Sequence, residues 1–141
     1  MTRVYIAGPM SGIPQFNFPL FVEVAKRLRE RNIDVVSPVD LDTELGIDKE
    51  ALSSTDGDAS KISKTWGDLL SRDVKLIADG GISGIVFLPD WYKSRGARLE
   101  AFVGLQKSES FFFHEWIGSE FEDTRPMPRR RVLQLLDAFT P

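Results

Sequence analysis

Ser94-Arg95-Gly96-Ala97-Arg98-Leu99-Glu100 is the segment of this chain best equipped for chemistry. Ser94 is a good helix N-cap, and Gly96 lets another group approach the backbone closely. The N–H groups at such a helix start form an anion site. Gly96 and Glu100 are four residues apart and share nearly one helical face. Helical side chains lean toward the N-terminus, so Glu100 points back over the bare Gly96 position. An anion held at Ser94 then lies near a carboxylate, although a capped helix with one exposed glutamate satisfies the same spacing. Asp73 supplies a second carboxylate, in the helix before the third strand. Facing the same cleft as Glu100, the two can divide the work, one as nucleophile and the other, with a raised pKa, as acid. Facing elsewhere, Asp73 is a solvated or paired helix residue.

A second candidate is the loop Gly8-Pro9-Met10-Ser11-Gly12, which follows the apolar run Val4-Tyr5-Ile6-Ala7. Its glycines permit turns and close ligand approach, but it is neither the spaced dinucleotide fingerprint nor a P-loop. A plain strand-to-helix turn is an equally good reading. Asn17 reads as a helix cap, with a base-reading amide as the alternative. Trp91 and Tyr92 either stack on a base or cover the end of the sheet. His114 is the sole histidine and the chain has no cysteine, which leaves little for a His-based triad and excludes thiolate chemistry, disulfides and cysteine-ligated metals. No metal or cofactor is expected. Asp56-Gly57-Asp58 does not complete a calcium loop, and Arg129-Arg130-Arg131 reads as a solvated face.

These residues need elements to position them. Arg3 to Ala7, Ile33 to Ser37, Ile85 to Leu88 and Phe111 to Phe113 read as strands, the first three closed by Gly8-Pro9, Pro38 and Pro89. Helical spacing joins Leu20, Phe21, Val24, Ala25 and Leu28 behind Asn17, and Trp66, Leu69, Leu70, Val74 and Ile77 before Gly80-Gly81. In the helix from Ser94 to Gln106, Leu99, Phe102, Val103 and Gln106 share one face. A polar linker around Arg125-Pro126 leads to a last helix with Val132, Leu133, Leu135, Leu136 and Phe139. Residues 41–63 are polar and acidic with weak periodicity, as in an insertion, a lid or an interface arm. Strands alternating with helices imply a mainly parallel sheet covered on both faces, which binds ligands at the strands' carboxyl ends. Gly8 to Gly12, Asp40 and Pro89 to Gly96 all fall there.

The composition agrees with one soluble domain over residues 1–141. Its 141 residues are 42% hydrophobic and 28% charged, with 18 basic against 21 acidic side chains and a formal charge of −3. That mild acidity argues against a nucleic-acid polymer as partner, while small anions need only local positive potential. No apolar run approaches membrane-spanning length, and no secretory apolar region precedes Arg3, so a cytoplasmic protein is expected.

In order and spacing, these pieces resemble the nucleoside 2-deoxyribosyltransferase-like superfamily, especially a short phage and bacterial branch. The resemblance spans residues 3 to about 107. It rests on Val4 to Gly12, on Asp73, and on Ser94-x-Gly96-x-x-x-Glu100. That branch shares a Gly-Pro-Met-Ser-Gly loop, an Asn-Phe-Pro helix start and a Trp-x-x-Ser-x-Gly-Ala-Arg-x-Glu segment, here Trp91, Ser94, Gly96, Ala97, Arg98 and Glu100. The resemblance implies a flavodoxin- or Rossmann-like three-layer sandwich with a four- to five-stranded, mainly parallel sheet. It implies that Glu100 attacks the sugar carbon of an N-glycosidic bond, that Tyr5 orients Glu100, and that Asp73 protonates the departing base. These roles fit the two-carboxyl logic of glycosidic cleavage. Gly8, Pro9, Met10, Asn17, Trp91, Ser94, Gly96 and Arg98 are the expected substrate-binding residues.

Position 94 separates two substrate classes. Transferases of free nucleosides tend to carry aspartate there, and the related nucleotide N-hydrolases carry serine. Ser94, with Arg95 and Arg98 nearby, accommodates a 5′-phosphate that an aspartate would repel. The expected substrate is therefore a nucleoside 5′-monophosphate, with water or a second base as acceptor. A homodimer or larger homo-oligomer is implied, with Ser119 the candidate for a residue lent by a neighbouring subunit. The 41–63 stretch has no clear counterpart in compact members, and the resemblance is poor beyond about residue 107. A catalytically silent nucleotide-binding or regulatory module, and an interaction protein built on the 41–63 arm and last helix, are the competing functions.

Overall fold

The computed structural model describes residues 2–44 and 66–139. Among them the chain forms β1 (Arg3–Ala7), a single turn at Pro14–Asn17, α1 (Phe18–Glu30), β2 (Asp34–Val36) and α2 (Pro38–Glu44). It continues as α3 (Trp66–Asp79), β3 (Gly84–Phe87), a 3-10 turn at Trp91–Lys93, α4 (Arg95–Leu105), β4 (Phe112–Trp116), β5 (Thr124–Pro126) and α5 (Arg129–Ala138). The five strands make one sheet in the order β2-β1-β3-β4-β5, parallel except for β5. This α/β arrangement is compatible with a three-layer sandwich.

Side-chain alternation on β1 divides the core. Val4 and Ile6 join Phe18, Phe21, Val24, Ala25 and Leu28 of α1 on one face. Tyr5 and Ala7 join Ile77 of α3, Ala97 and Ala101 of α4, and Val132 and Leu135 of α5 on the other. Tyr5 pairs with Val36 on β2 and Ile85 on β3, so it stands in the middle of the sheet. Connections leave β1 and β3 toward opposite edges. The carboxyl ends of these two neighbours therefore bound a crevice, where sheets of this kind bind ligands.

Three elements differ from the sequence reading. The stretch around Arg125-Pro126 is not a linker but β5, an antiparallel edge strand on which a proline is tolerated. Pro38 does more than end β2: it opens α2, where its missing N–H costs nothing. Residues 41–44 therefore belong to a helix, and the rest of the 41–63 stretch lies outside the described residues. In α4 the buried face is Ala97, Glu100, Ala101 and Gly104, whereas Leu99 and Phe102 are exposed. Small residues let α4 sit close to the sheet. A Cβ on Gly104 would come within 2.8 Å of Phe111 and 3.1 Å of Ile85.

Candidate active site

Tyr5, Asp73 and Glu100 come from β1, α3 and α4 and meet on the same face of the sheet. Their exposures are 0%, 8% and 5%. Tyr5 is fixed by the strand, and Glu100 follows Gly96 by one helical turn on the inward face of α4. The Tyr5 hydroxyl donates to Glu100 Oε2, and Asp73 lies close enough to act on both groups. Arg72, also on α3, folds over its neighbour: its Nε and Nη2 both donate to Asp73 Oδ1, at 2.8 and 2.7 Å.

Burial and charge act together here. Loss of solvent holds the Glu100 carboxyl well above its ordinary range and the nearby Asp73 charge adds to this, while the Tyr5 hydrogen bond and Arg72 oppose it. Burial and the charge of Glu100, then that of Asp73, push the Tyr5 phenol further up, so it stays a neutral donor. Two carboxyl groups, one guanidinium and one phenol therefore share a dry site. Such a constellation can hold or move a proton and present a carboxylate to an electrophilic carbon.

Beside it, the loop after β1 and the turn after β3 enclose a cleft of about 640 Å³ at the carboxyl ends of those strands. Pro9, Ser11 and Gly12 line one side, and Ser94, Arg95 and Gly96 the other. Lys93 and Arg95 oppose Asp90 in its lining. Ser94 caps α4: its Oγ accepts from the Ala97 N–H at 3.3 Å and its carbonyl from the Arg98 N–H at 2.9 Å. The Gly96 N–H, in the first helical turn, has no acceptor within the helix.

Pro9, Ser94 and Gly96 are thus on the cleft, while the buried Tyr5, Asp73 and Glu100 do not line it. The remaining expected binding residues take other places. Trp91 is buried and stacks on Phe87 with centroids 4.0 Å apart, so its ring is a core group rather than a surface for a base. Arg98 turns away from Ser94 and donates to the carbonyls of Tyr92 at 3.1 Å and Leu136 at 2.8 Å, tying α4 to α5. Asn17 does not cap α1 with its side chain; its backbone is left-handed, and its Nδ2 donates to Pro9 O at 3.0 Å. Met10 packs against the α1-side core. Gly8 is a close-approach position, because a Cβ there would stand 2.7 Å from Leu88 Cβ.

The wall carrying Pro9 is held in an uncommon form. Gln15, Phe16 and Asn17 have φ of 59°, 53° and 61°. A left-handed residue other than glycine costs roughly 1 kcal/mol or more. Burial of Phe16 among Phe18 and Phe21, and the Asn17–Pro9 bond, offset that strain. Asp90, at φ 64°, repeats the feature on the facing wall.

The chain matches, over residues 2–109, a family described as a domain of unknown function, DUF4406. It belongs to the DUF4406 family. No curated protein and no solved structure matches it. The matched range of this DUF4406 domain contains Tyr5, Asp73, Glu100 and both cleft walls, and ends before β4. Arg72 and Lys93 are the site residues that motif spacing missed. Adjacent helical residues normally diverge by about 100°, so Arg72 next to Asp73 carries no pairing signal. Among the described residues, no three Asp, Glu or His side chains are grouped to hold a metal ion, and no helix is long and apolar enough to cross a membrane.

Proposed function

We propose that this DUF4406 domain cleaves the N-glycosidic bond of a nucleoside 5′-monophosphate. The observation that carries the reading is one phenol hydrogen-bonded to the buried Glu100, with a second buried carboxyl, Asp73, near both, one helical turn from an anion-suited cleft. Glycosidic cleavage needs one carboxylate for the sugar carbon and one carboxylic acid for the leaving group. In the first step a Glu100 oxygen bonds to the anomeric carbon as the carbon–nitrogen bond breaks. The bonding pair goes to the base, and Asp73 gives it a proton. In the second step water attacks the same carbon, Glu100 leaves as carboxylate, and Asp73 takes the water's proton. A second base in place of water gives sugar transfer. The 5′-phosphate is placed at Ser94 and the α4 start, near Lys93 and Arg95.

The strand order supports the finer fold assignment, a flavodoxin-like three-layer sandwich related to the nucleoside 2-deoxyribosyltransferase-like proteins. The homo-oligomer belongs to the same reading, with Leu99 and Phe102 giving α4 an apolar outer face.

The test is incubation with ribo- and deoxynucleoside monophosphates, followed by chromatography for free base. Release that disappears in Glu100→Ala supports the enzyme. Release from nucleosides alone removes the phosphate assignment. One observation favours a silent nucleotide-binding module: burial resists ionisation of Glu100. Saturable nucleotide binding with no release at high protein concentration would establish that alternative.

A further inference from the structure

We propose that the outer faces of α4 and α5 form a contact with a second copy of this chain, related to the first by a two-fold axis. This rests on the homo-oligomer of the proposed function and not on its chemistry. The pattern of α5 is the starting point. Val132 and Leu135 turn inward and are buried. Arg130, Leu133, Gln134 and Asp137, spaced i, i+3, i+4 and i+7, form the opposite stripe, and all four are exposed. Leu133, at the middle of the stripe, is 55% exposed.

The neighbouring helix widens this stripe. Arg98, near the start of α4, donates to Leu136 O near the end of α5. Arg129, at the start of α5, donates to Leu105 O at the end of α4. The two helices therefore lie side by side and antiparallel, and Phe102 stands about level with Leu133 between these ties. Leu99 and Phe102 are 45% and 56% exposed. Large apolar side chains scattered singly need no explanation, whereas a group of them rimmed by charged residues marks a contact surface.

The charges on the rim select the occupant. Arg130 and Arg131 stand in the first turn of α5 and Asp137 in its last. Each sign is at the helix end where the helix dipole disfavours it. Arg130 and Asp137 are about 10.5 Å apart along the axis, too far to pair with each other. Among the described residues neither makes an ion pair. A two-fold axis passing between Leu133 and Gln134 lays a second α5 antiparallel on the first. Arg130 of each copy then meets Asp137 of the other, so the pair forms twice. Each arginine end also approaches the negative end of the other helix's dipole. The same axis brings Leu133 and the neighbouring Phe102 under cover. An acidic peptide or an anionic lipid surface would suit one end of the stripe and be repelled by the other. A second copy satisfies both ends.

Sedimentation equilibrium of the full chain, with circular dichroism to confirm folding, tests the assignment without any turnover. The wild type should be a dimer. Arg130→Asp and Asp137→Arg should each raise its dissociation constant at least about tenfold, because like charges then face each other twice. Both substitutions in one chain should restore the wild-type dimer, since the two-fold axis simply exchanges the members of each pair. Mixing the two single variants should likewise give a heterodimer with both pairs remade. Leu133→Glu should yield a folded monomer. A monomeric wild type overturns the proposal and the homo-oligomer with it. A dimer indifferent to all these substitutions overturns this face alone, as does a double variant no tighter than the single ones. Base release measured on the same preparations decides the glycosidase reading separately.

Discussion

Replacing Glu100 by glutamine should stabilise the protein, and by more as the pH rises. The substitution keeps the shape of a buried side chain, and its amide can still donate to or accept from the Tyr5 hydroxyl. What it removes is a carboxyl whose ionisation burial and the Asp73 charge resist. The sign follows from proton linkage. Glu100 titrates higher in the folded chain than its ordinary value of 4.5, so between those two points the folded state binds more protons than the unfolded one. Stability contributed by its proton is complete below 4.5 and is lost as pH rises toward the folded value. The loss is about 1.4 kcal/mol per pH unit within that window. For a domain of this length, that corresponds to a fall of about 4–6 °C in Tm per unit, relative to the glutamine variant. Thermal melts of both proteins from pH 5 to 8, at constant ionic strength, give the difference directly. Asp73→Asn should narrow the window, because the Asp73 charge is the second cause of the shift. A Glu100→Gln minus wild-type difference that stays flat with pH would show Glu100 ionising as a solvated carboxylate, and the account of a dry site would be wrong.

Other substitutions probe the parts around this centre. Gly8→Ala should lower stability by about 1–3 kcal/mol in chemical denaturation, since its Cβ would meet Leu88 Cβ at 2.7 Å. Ser94→Asp preserves a good helix cap; it should weaken nucleoside monophosphate binding at least about tenfold by charge repulsion at the cleft, leaving nucleosides little affected in calorimetry. Trp91→Phe should leave nucleotide affinity unchanged in the same titrations, because Trp91 already stacks on Phe87 inside the core. Asp123→Ala should cost about 2 kcal/mol, read by urea unfolding, as the buried carboxylate ties both Arg27 of α1 and Arg31 just beyond its end.

Much of the frame was legible because two periodicities are written plainly. Val4-Tyr5-Ile6-Ala7 and Ile85-Val86-Phe87-Leu88 are short apolar runs closed by proline or glycine, and both lie at central strands. Phe21, Val24, Ala25 and Leu28 mark the buried face of α1 without ambiguity. The errors have physical causes. Thr124 to Pro126 is three residues long and takes its strand form from pairing with His114 to Trp116, a long-range effect that local composition does not carry. In α4, apolar size misled. Leu99 and Phe102 look like core residues, but only Ala97, Ala101 and Gly104 are small enough for a helix pressed against Ile85 and Phe113. Trp91, Arg98 and Asn17 sit next to the cleft in sequence, yet each spends its polar or aromatic group on the protein itself.

The centre was legible as residues but not as a charge state. Helical spacing places Glu100 behind Gly96, and strand alternation puts Tyr5 on one face of β1; neither says that α3 brings Asp73 against both. Once it does, the pair's behaviour is collective. Burial alone would raise both carboxyls, and mutual repulsion would leave the proton on either. A residue invisible to motif spacing acts on the two differently: Arg72 donates two N–H bonds to one oxygen of Asp73, while on Glu100 its charge acts. The packing of α3 on α4 therefore gives two neighbouring buried carboxyls unlike surroundings.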